Sequence, residues 1–264
     1  MRIDLELVKR GIFPSRQKAK EAIAEGKVKL GGEICTKSSL NVSEDDEIEL
    51  CGEIMEYVGR GGLKLRKLIE HTGISLKGTV CMDIGASTGG FTDCMLENGA
   101  AYVYAVDVGY GQLAEKLRED ERVCCMEKTD IRDISKEMLD KTIDFISVDV
   151  SFISLKLILP KIYELLSENG SAALLIKPQF EAGRKNIGKK GVVKNEKIHE
   201  RVLTDITAAV SAEGFFIKEI IHSPIKGGSG NIEYLAFIDK SGERACIDVK
   251  ETVRNAFEQF KKGR

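Results

Sequence analysis

The sequence predicts an α/β fold: a mostly parallel, Rossmann-like sheet with helices on both faces, preceded by a small α+β domain. After residue 62, near-continuous apolar segments of strand length alternate with helical segments, which is typical of a parallel sheet covered on both faces. A glycine-rich turn follows the first of these strands, as in nucleotide-binding βαβ units. Residues 1–57 instead carry short elements and a sharply divided charge.

The N-terminal residues predict two short helices, one from residue 3 to Gly11 and one from residue 16 to Gly26, followed by strands at 27–30 and 47–50. Residues 1–37 hold nine Lys or Arg against five acids, and residues 38–56 hold seven acids and no base. A compact module with one basic face suggests contact with a phosphate backbone. A solvated helix face explains the same charges equally well.

A glycine cluster at Gly59, Gly61 and Gly62 predicts a break in the chain. We therefore place a first domain at 1–57, a linker at 58–62 and a second domain at 63–264. In the second domain we expect helices at 63–71, 91–97, 155–166, 196–212 and 249–262. The expected strands are 79–82, 102–107, 123–126, 143–149, 172–177, 215–221 and 232–238.

The turn Gly85-Ala86-Ser87-Thr88-Gly89-Gly90 differs from the dinucleotide fingerprint, because Ser87 stands where the second glycine would approach a pyrophosphate. Asp83 adds a carboxylate that would repel phosphate and suit a cationic ligand. Asp107 ends the next strand and can accept from ribose hydroxyls. S-adenosylmethionine has ribose, ammonium and sulfonium groups and no phosphate, so we favour it over NAD. A glycine-rich turn with no ligand is the alternative.

Composition restricts the class of protein. The chain of 264 residues has a net charge of −2 and no apolar segment near the roughly 20 residues that a membrane span needs. It begins without a signal-peptide pattern, and its seven cysteines form no C-x-x-C pair, so we expect a cytoplasmic protein with reduced thiols. The three histidines lack metal-ligand spacing. We therefore expect no metal site and no membrane contact, and the sequence leaves the oligomeric state open, with a monomer plausible.

Polar groups end three of the predicted strands: Asp107, Asp149 and Lys177. Ligands of open α/β sheets bind at these carboxyl ends. A strand-end lysine among apolar residues is costly unless a carboxylate is near, and Asp149 is the expected partner of Lys177. A purely structural pair is possible, but the position beside the cofactor crevice favours a functional one.

The N-terminal residues resemble the S4-type RNA-binding domain through Arg2-x-Asp4-x-x-Leu7, Ser15-Arg16-x-x-Ala19, Ile23-x-x-Gly26-x-Val28 and the late Asp46-x-Ile48. The resemblance covers residues 1 to about 57. In that family the basic second helix and the following turn contact structured RNA. The resemblance maps this role onto Arg10, Arg16, Lys18, Lys20, Lys27 and Lys29, and we add Arg2 to the set.

The second domain resembles the FtsJ-type ribose 2'-O-methyltransferases through the spaced set Lys64, Asp149, Lys177 and Glu233 and the turn from Asp83 to Phe91. Longer motifs are similar to the TlyA (hemolysin A) family: Gly85 to Thr92, Asp107 to Leu113, Ser151-Phe152-Ile153-Ser154-Leu155, Lys177-Pro178-Gln179-Phe180-Glu181 and Gly230-Asn231-x-Glu233-Tyr234. Arg60-Gly61-Gly62 departs from the family, which often has Ser before Arg-Gly. The resemblance implies a class I methyltransferase sheet and rRNA (cytidine-2'-O)-methyltransferase activity, on the large subunit alone or on both subunits.

The chemistry of the methyl transfer suggests a role for each of these residues. Lys177 would be the base, with Lys64 and Asp149 tuning it and Glu233 positioning Lys64 or the ribose. A base must be a neutral amine, and we expect Lys64 beside Lys177 to favour that form through like-charge repulsion. The expected cofactor-binding residues are Asp83, Gly85, Ala86, Ser87, Gly89, Gly90, Phe91, Asp107, Val108, Asp130 and Asp149. Arg60 and the basic loop residues Arg184, Lys185, Lys189 and Lys190 would contact RNA.

Three functions other than rRNA methylation explain fewer of these features. A membrane-lytic protein, suggested by the hemolysin name, would have no use for the cofactor turn. A ribosome-assembly factor that only binds RNA would not need the four catalytic-type residues. A small-molecule methyltransferase would not need the basic N-terminal domain. The sequence therefore favours an rRNA methyltransferase.

Overall fold

The computed structural model of the chain describes residues 1–13, 16–24, 26–43, 45–51, 57–243 and 245–261, apart from the side chains of Lys18 and Glu21. The chain divides into two compact units, Met1–Glu56 and Tyr57–Arg264. Tyr57 is buried, and the Val58 amide donates to Asp93 Oδ2 at 2.8 Å, so the segment that we expect as a linker begins inside the second unit.

The first unit is a small α+β domain. It contains α1 (Ile3–Lys9), α2 (Arg16–Ala24), β1 (Val28–Leu30), β2 (Glu33–Ile34) and β3 (Ile48–Leu50). Its described strands form an antiparallel sheet in the order β2-β1-β3. Ile3 and Leu7, one helical turn apart, pack with Ile23 and Val28 in its core. The sequence pattern did not predict β2, because this strand has only two residues and both of them are exposed.

The second unit alternates strands and helices. Its helices are α3 (Gly61–Thr72), α4 (Gly90–Glu97), α5 (Glu115–Arg118), α6 (Leu159–Leu165), α7 (Pro178–Glu181), α8 (Glu196–Ala212) and α9 (Val249–Lys261). Its strands are β4 (Val80–Ile84), β5 (Tyr102–Val106), β6 (Val123–Met126), β7 (Ile143–Val148), β8 (Leu166–Ile176), β9 (Phe216–His222) and β10 (Tyr234–Asp239).

In the described part of the second unit, seven strands form one sheet in the order β6-β5-β4-β7-β8-β10-β9. Parallel pairing links β6, β5, β4, β7 and β8, whereas β10 is antiparallel to both β8 and β9. The first strand, β4, lies between β5 and β7, so the strand order reverses there. Such a switch point opens a crevice beyond the carboxyl ends of the strands.

Both faces of the sheet are covered, as the apolar strands predict. On one face, Cys81 and Phe145 pack with side chains of α3 and α4, including Leu68 and Met95. On the other face, alternate residues such as Met82 pack with apolar side chains of α6, α8 and α9. Alternation along each strand therefore supplies two cores from one sheet.

Several boundaries differ from the predicted ones, most of them by one or two residues, and three of the differences change how an element is described. β4 continues through Asp83 to Ile84, so Asp83 lies within the strand and not in the turn. The predicted helix at 155–166 is a 3₁₀ turn at Leu155–Leu157 followed by α6, because Pro160 fixes the start of a new helix. β8 begins at Leu166, six residues earlier than predicted. The sequence did not indicate this start, because residues 167–170 carry no strand-like apolar pattern.

Candidate active site

A cavity of about 240 Å³ lies at the carboxyl ends of β4, β7 and β8. The described residues that line it come from the glycine cluster at the start of α3, from the β4–α4 turn and from the ends of β7 and β8. They are Gly59, Arg60, Gly61, Gly85, Ala86, Ser87, Thr88, Gly90, Phe91, Asp149, Ser151 and Lys177. The predicted crevice of the sheet and the predicted cofactor turn therefore coincide.

The β4–α4 turn requires glycine where it meets neighbouring backbone. Gly85 has φ +83°, and a Cβ on this residue would stand 2.5 Å from the Asp149 carbonyl oxygen. A Cβ on Gly90 would stand 3.0 Å from the Gly62 nitrogen. These close approaches leave bare backbone along the cavity wall, where a ligand can lie against the chain.

Asp107, expected to bind ribose, holds the same turn. Its two carboxylate oxygens each accept one backbone amide, from Ser87 and from Gly109, both at 2.7 Å. These bonds secure Ser87 in a left-handed conformation, with φ 49°. A carboxylate has about four lone-pair positions, so Asp107 can still accept from a ligand. Val108 beside it is exposed.

Asp130 does not line the cavity. Its carboxylate caps the 3₁₀ turn at Ile131–Asp133 and pairs with Arg132 at 2.6 Å. The hydrogen bond from Arg132 lowers the pKa of Asp130 to about 2. If Asp130 contacts the cofactor as predicted, its carboxylate does so while it is already paired with Arg132.

Asp83 does not present its carboxylate to the cavity, which corrects the sequence expectation. Within β4 its side chain is fully buried, and its Oδ2 accepts the amide and hydroxyl of Thr92 at 2.8 and 2.7 Å. Ser147 donates to its Oδ1 at 2.9 Å. Burial raises the pKa of Asp83 to about 7, although the hydrogen bonds from Thr92 and Ser147 oppose this shift. Asp83 therefore satisfies a backbone amide in the first turn of α4, as a capping side chain does.

Lys177 and Asp149 form the predicted ion pair. Lys177 Nζ lies 2.5 Å from Asp149 Oδ1 and donates to Ser151 Oγ at 3.0 Å. Asp149 directly follows β7, and its amide donates to the Ile84 carbonyl at 2.9 Å, which fixes it against the end of β4. Both members of the pair line the cavity, so the amine lies where a bound ligand would meet it.

Lys64 and Glu233 form a second ion pair, which lies out of contact with solvent. Lys64 Nζ donates to Glu233 Oε2 at 2.7 Å, and the two residues are 7% and 2% exposed. Gln179 Nε2, two residues after Lys177, donates to the other oxygen of Glu233 at 3.2 Å. Each lysine thus has its own carboxylate, and among the described residues only the Lys177 pair lines the cavity.

Two acids that the sequence analysis did not single out organise the site. Glu181 accepts from the Ser154 hydroxyl at 2.7 Å and from the Leu155 amide at 2.8 Å, which ties together two of the motifs that carry the family resemblance. Glu127 accepts the amides of Gly111, Gln112 and Leu113. Glu127 directly follows β6, and the strand-end rule that selected Asp107 would also have selected it.

The glutamate–amide contacts have an electrostatic consequence. Backbone hydrogen bonds, first from Gly111 and then from Leu113, lower the pKa of Glu127 to about 2. The loop that Glu127 holds also carries Gln112, whose Oε1 accepts from the Ser87 hydroxyl at 3.2 Å. Glu127 therefore connects the end of β6 to the cofactor turn.

The arginines expected to contact RNA in the first unit have partners within it. Arg2 and Arg16 pair with buried Asp4 at 3.0 and 2.9 Å. Burial alone would raise the pKa of Asp4, but hydrogen bonds from the two arginines outweigh it and lower that pKa. Arg10 pairs with Glu6 at 2.8 Å and donates to the Ser43 and Asp46 carbonyls.

The predicted RNA-contacting lysines differ in exposure. Lys20, Lys27 and Lys29 are half-buried, and the side chain of Lys18 lies outside the described part of the chain. In the second unit the predicted cations are exposed: Arg60, Arg184, Lys185, Lys189 and Lys190. Arg60 also lines the cavity.

The helices of the described ranges are all too short or too polar to cross a lipid bilayer. Residues 57–240 match the FtsJ-like methyltransferase family, and residues 1–48 match the S4 domain. The FtsJ-like match contains the whole cavity lining given above.

Three known proteins are similar over nearly the whole chain. The 16S/23S rRNA (cytidine-2'-O)-methyltransferase TlyA of Mycobacterium tuberculosis is 38% identical, over 92% of this chain and 91% of its own length. The 23S rRNA (cytidine-2'-O)-methyltransferase TlyA of Campylobacter jejuni is 37% identical, over 91% and 100%. A solved structure from Streptococcus thermophilus is 44% identical with a TM-score of 0.80, over 100% and 98%. The chain therefore belongs to the TlyA family of FtsJ-like methyltransferases and carries an S4 domain before its methyltransferase domain.

Proposed function

We propose that this methyltransferase transfers a methyl group from S-adenosylmethionine to the 2'-hydroxyl of a cytidine in ribosomal RNA. The observation that carries the proposal is the Lys177–Asp149 pair on the wall of the glycine-lined cavity. The two TlyA relatives act on rRNA cytidine by their names, and the S4 domain gives the chain a means of holding RNA. Such an enzyme works in the cytoplasm, where ribosomes are.

The cavity residues fit the cofactor. Glycines of the turn and of the cluster at the start of α3 leave backbone open to a ligand, and Asp149 offers a carboxylate to a cationic group. Asp107 adds acceptor positions for ribose hydroxyls beside Ser87. S-adenosylmethionine, when bound, supplies an electrophilic methyl group.

Lys177 has the position of a general base. A ribose 2'-hydroxyl is a weak nucleophile and must lose its proton as it attacks. Lys177 first releases the proton that it carries in the ion pair with Asp149, and its neutral amine then accepts the hydroxyl proton. Ser151 and Asp149 fix the direction of the Lys177 amine, at 3.0 and 2.5 Å. The ammonium formed by proton uptake stays beside the Asp149 carboxylate. Holding the hydroxyl and the methyl group in line supplies much of the remaining acceleration.

Lys64 and Glu233 support the base without touching the substrate. Glu233 holds Lys64 of α3 through one oxygen and Gln179 of α7 through the other. Since α7 begins directly after Lys177, these contacts fix the backbone next to the base. Lys64 and Glu233 are therefore positioning residues.

The test is methyl transfer from tritiated S-adenosylmethionine to 30S subunits, 50S subunits and free rRNA. We expect label at a ribose that resists alkaline cleavage on its 3' side. Lys177→Ala is expected to lower the rate by at least about 100-fold and to keep cofactor affinity. Lys250→Ala, an exposed lysine of α9, is the matched control and is expected to transfer normally.

The substrates that become labelled identify the target subunit. Transfer to 50S alone or to both subunits would match one or the other TlyA relative. If the protein binds cofactor by calorimetry and labels no ribosomal RNA, the rRNA assignment is wrong. Tight RNA binding without transfer would instead support a role in ribosome assembly.

A further inference from the structure

The basic loop before α8 ends in a tight turn with two lysines at its tip. The Gly188 amide donates to the Val192 carbonyl at 3.1 Å, and the Gly191 amide donates to the Gly188 carbonyl at 2.8 Å. Lys189 and Lys190 are exposed between these bonds. We call residues 188–192 the lysine turn.

Asn231 holds the end of the lysine turn. Its Nδ2 donates to the Gly191 carbonyl at 2.9 Å, and its Oδ1 accepts the Val193 amide at 3.0 Å. Asn231 is fully buried. One buried side chain thus supplies both the donor for the Gly191 carbonyl and the acceptor for the Val193 amide.

A second buried contact holds the same backbone. His199 of α8 lies 2.9 Å through Nε2 from the Val193 carbonyl and 2.9 Å through Nδ1 from the Tyr234 hydroxyl. A carbonyl only accepts, so Nε2 of the neutral ring carries the proton and Nδ1 accepts from Tyr234. Both side chains are fully buried.

The two anchors flank the residue that positions Lys64. Asn231 precedes Glu233 by two residues, and Tyr234 follows it at the start of β10. The lysine turn is therefore tied, through hydrogen bonds of buried groups, to the same short segment that carries the Lys64–Glu233 pair. Nothing in the transfer chemistry itself uses Asn231, His199 or Tyr234.

We infer that Asn231, His199 and Tyr234 are positioning residues that hold the lysine turn in register with the active site, so that Lys189 and Lys190 grip RNA phosphates while the ribose meets Lys177. The inference rests on the proposed function, because it needs an RNA substrate. A network that serves only folding would affect stability and leave the contribution of the two lysines unchanged.

The experiment is a double-mutant cycle in the full-length protein, using the rRNA substrate that the methyl-transfer test identifies. Asn231→Ala and the pair Lys189→Ala with Lys190→Ala are measured alone and together for KM toward RNA, kcat and cofactor affinity. We expect each alone to raise the KM for RNA about tenfold, the effect of losing one or two contacts. Together they should raise it by little more than either does alone, with cofactor affinity unchanged.

Tyr234→Phe provides a milder break, because it removes one hydroxyl and keeps the ring. We expect it to raise the KM for RNA by a few fold and to make the lysine substitutions less costly. Tyr104→Phe is the matched control: Tyr104 is also a buried strand tyrosine that bonds to Asp140, but it lies in β5. It is expected to leave the KM for RNA unchanged.

The results separate the two claims. If the Asn231 and lysine effects multiply independently, or if Tyr234→Phe behaves like Tyr104→Phe, this inference is overturned while the proposed function stands. If Asn231→Ala does not fold, the cycle with Tyr234→Phe gives the decision. If the wild-type protein transfers no methyl group to any rRNA, the proposed function fails and the inference fails with it.

Discussion

The two ion pairs of this site differ mainly in the exposure of their carboxylates, since the two lysines are buried to a similar extent. Lys177 and Asp149 are 11% and 22% exposed in their side chains, whereas Lys64 and Glu233 are 9% and 3% exposed. A buried ion pair contributes little net stability, because desolvation offsets the attraction, but a buried charge that loses its partner is costly. The Lys64–Glu233 pair can therefore be tested separately from the chemistry.

We expect Glu233→Gln to lower the free energy of unfolding by about 3–5 kcal/mol, because it leaves the Lys64 ammonium buried beside a neutral amide. The double variant Lys64→Met with Glu233→Leu should recover most of that stability and yet transfer methyl groups poorly. Urea denaturation and single-turnover rates measure the two effects. A double variant as unstable as the single one would show that the loss is not electrostatic.

Asp83 gives stability a pH dependence. Its folded pKa of about 7 lies above the ordinary value of 3.8, so the folded protein binds the proton more tightly. The contribution to stability is complete below about pH 4 and is lost as the pH rises to about 7.

Asp83→Asn should remove this component, so that the free energy of unfolding falls less between pH 5 and pH 8 than it does in the wild type. Urea denaturation at the two pH values measures it. Asp205→Asn, an exposed aspartate of α8, should keep the wild-type slope. An unchanged slope in Asp83→Asn would assign the pH dependence to other groups.

At the scale of elements, two backbone segments shape the predicted cofactor turn. The β4–α4 turn packs directly on backbone after β7, and the loop of residues 109–113 is held by Glu127. The β4–α4 turn can pack in this way only because Gly85 has no side chain, whereas the loop of residues 109–113 is held by the side chain of Glu127.

Gly85→Ala should be more destabilising than Gly111→Ala, although both glycines have a similar positive φ. Gly111 has φ +69° and open space around a built Cβ, so its replacement brings only backbone strain, about 1 kcal/mol. Gly85→Ala adds a collision with the Asp149 carbonyl and should cost about 1–3 kcal/mol more. Thermal unfolding compares the two, and equal losses would argue against the tight contact.

Glu127→Ala should raise the KM for S-adenosylmethionine severalfold and change kcat little, because the freed loop no longer holds Gln112 against Ser87. With a folded pKa of about 2, the Glu127 carboxylate is ionised throughout the neutral range, so the wild-type KM should not vary with pH through this group. Glu121→Ala, an exposed neighbour, is the control. A fall in kcat at constant KM would contradict this role.

The sequence was most informative where local pattern and topology agree. Strand-end positions selected Asp107, Asp149 and Lys177 as candidates. Asp149 and Lys177 do line the cavity, because parallel strands bring their carboxyl ends to one edge. The predicted position of Asp83 was wrong, because β4 continues two residues beyond its predicted end and buries the Asp83 carboxylate within the strand. Glu233 was expected to position Lys64 or the ribose, and spacing alone could not decide between the two, because the contact depends on packing between α3 and the segment before β10.

For the whole molecule, the charges that matter for RNA are local, since the net charge is only −2. Both units carry predicted phosphate contacts: Lys20 and Lys29 in the first, and Lys189 and Lys190 in the second. Such contacts release counterions, so affinity falls as salt rises. The number of true contacts can therefore be read from the salt dependence.

Each lysine that contacts phosphate should, when replaced by Ala, lower the slope of log Kd against log salt concentration by about 1. We expect this for Lys20, Lys29, Lys189 and Lys190, measured by filter binding to rRNA. Lys250→Ala should leave the slope unchanged. A lysine variant with the wild-type slope would be removed from the RNA-contact set.

The Lys64–Glu233 pair joins residues 169 positions apart in the chain. During translation, Lys64 leaves the ribosome long before Glu233 is made, so a nascent or prematurely terminated chain has the lysine without its carboxylate. Only after the segment before β10 has emerged can the pair form and the base be held in place. The enzyme therefore becomes competent to modify rRNA only after Glu233 has been made.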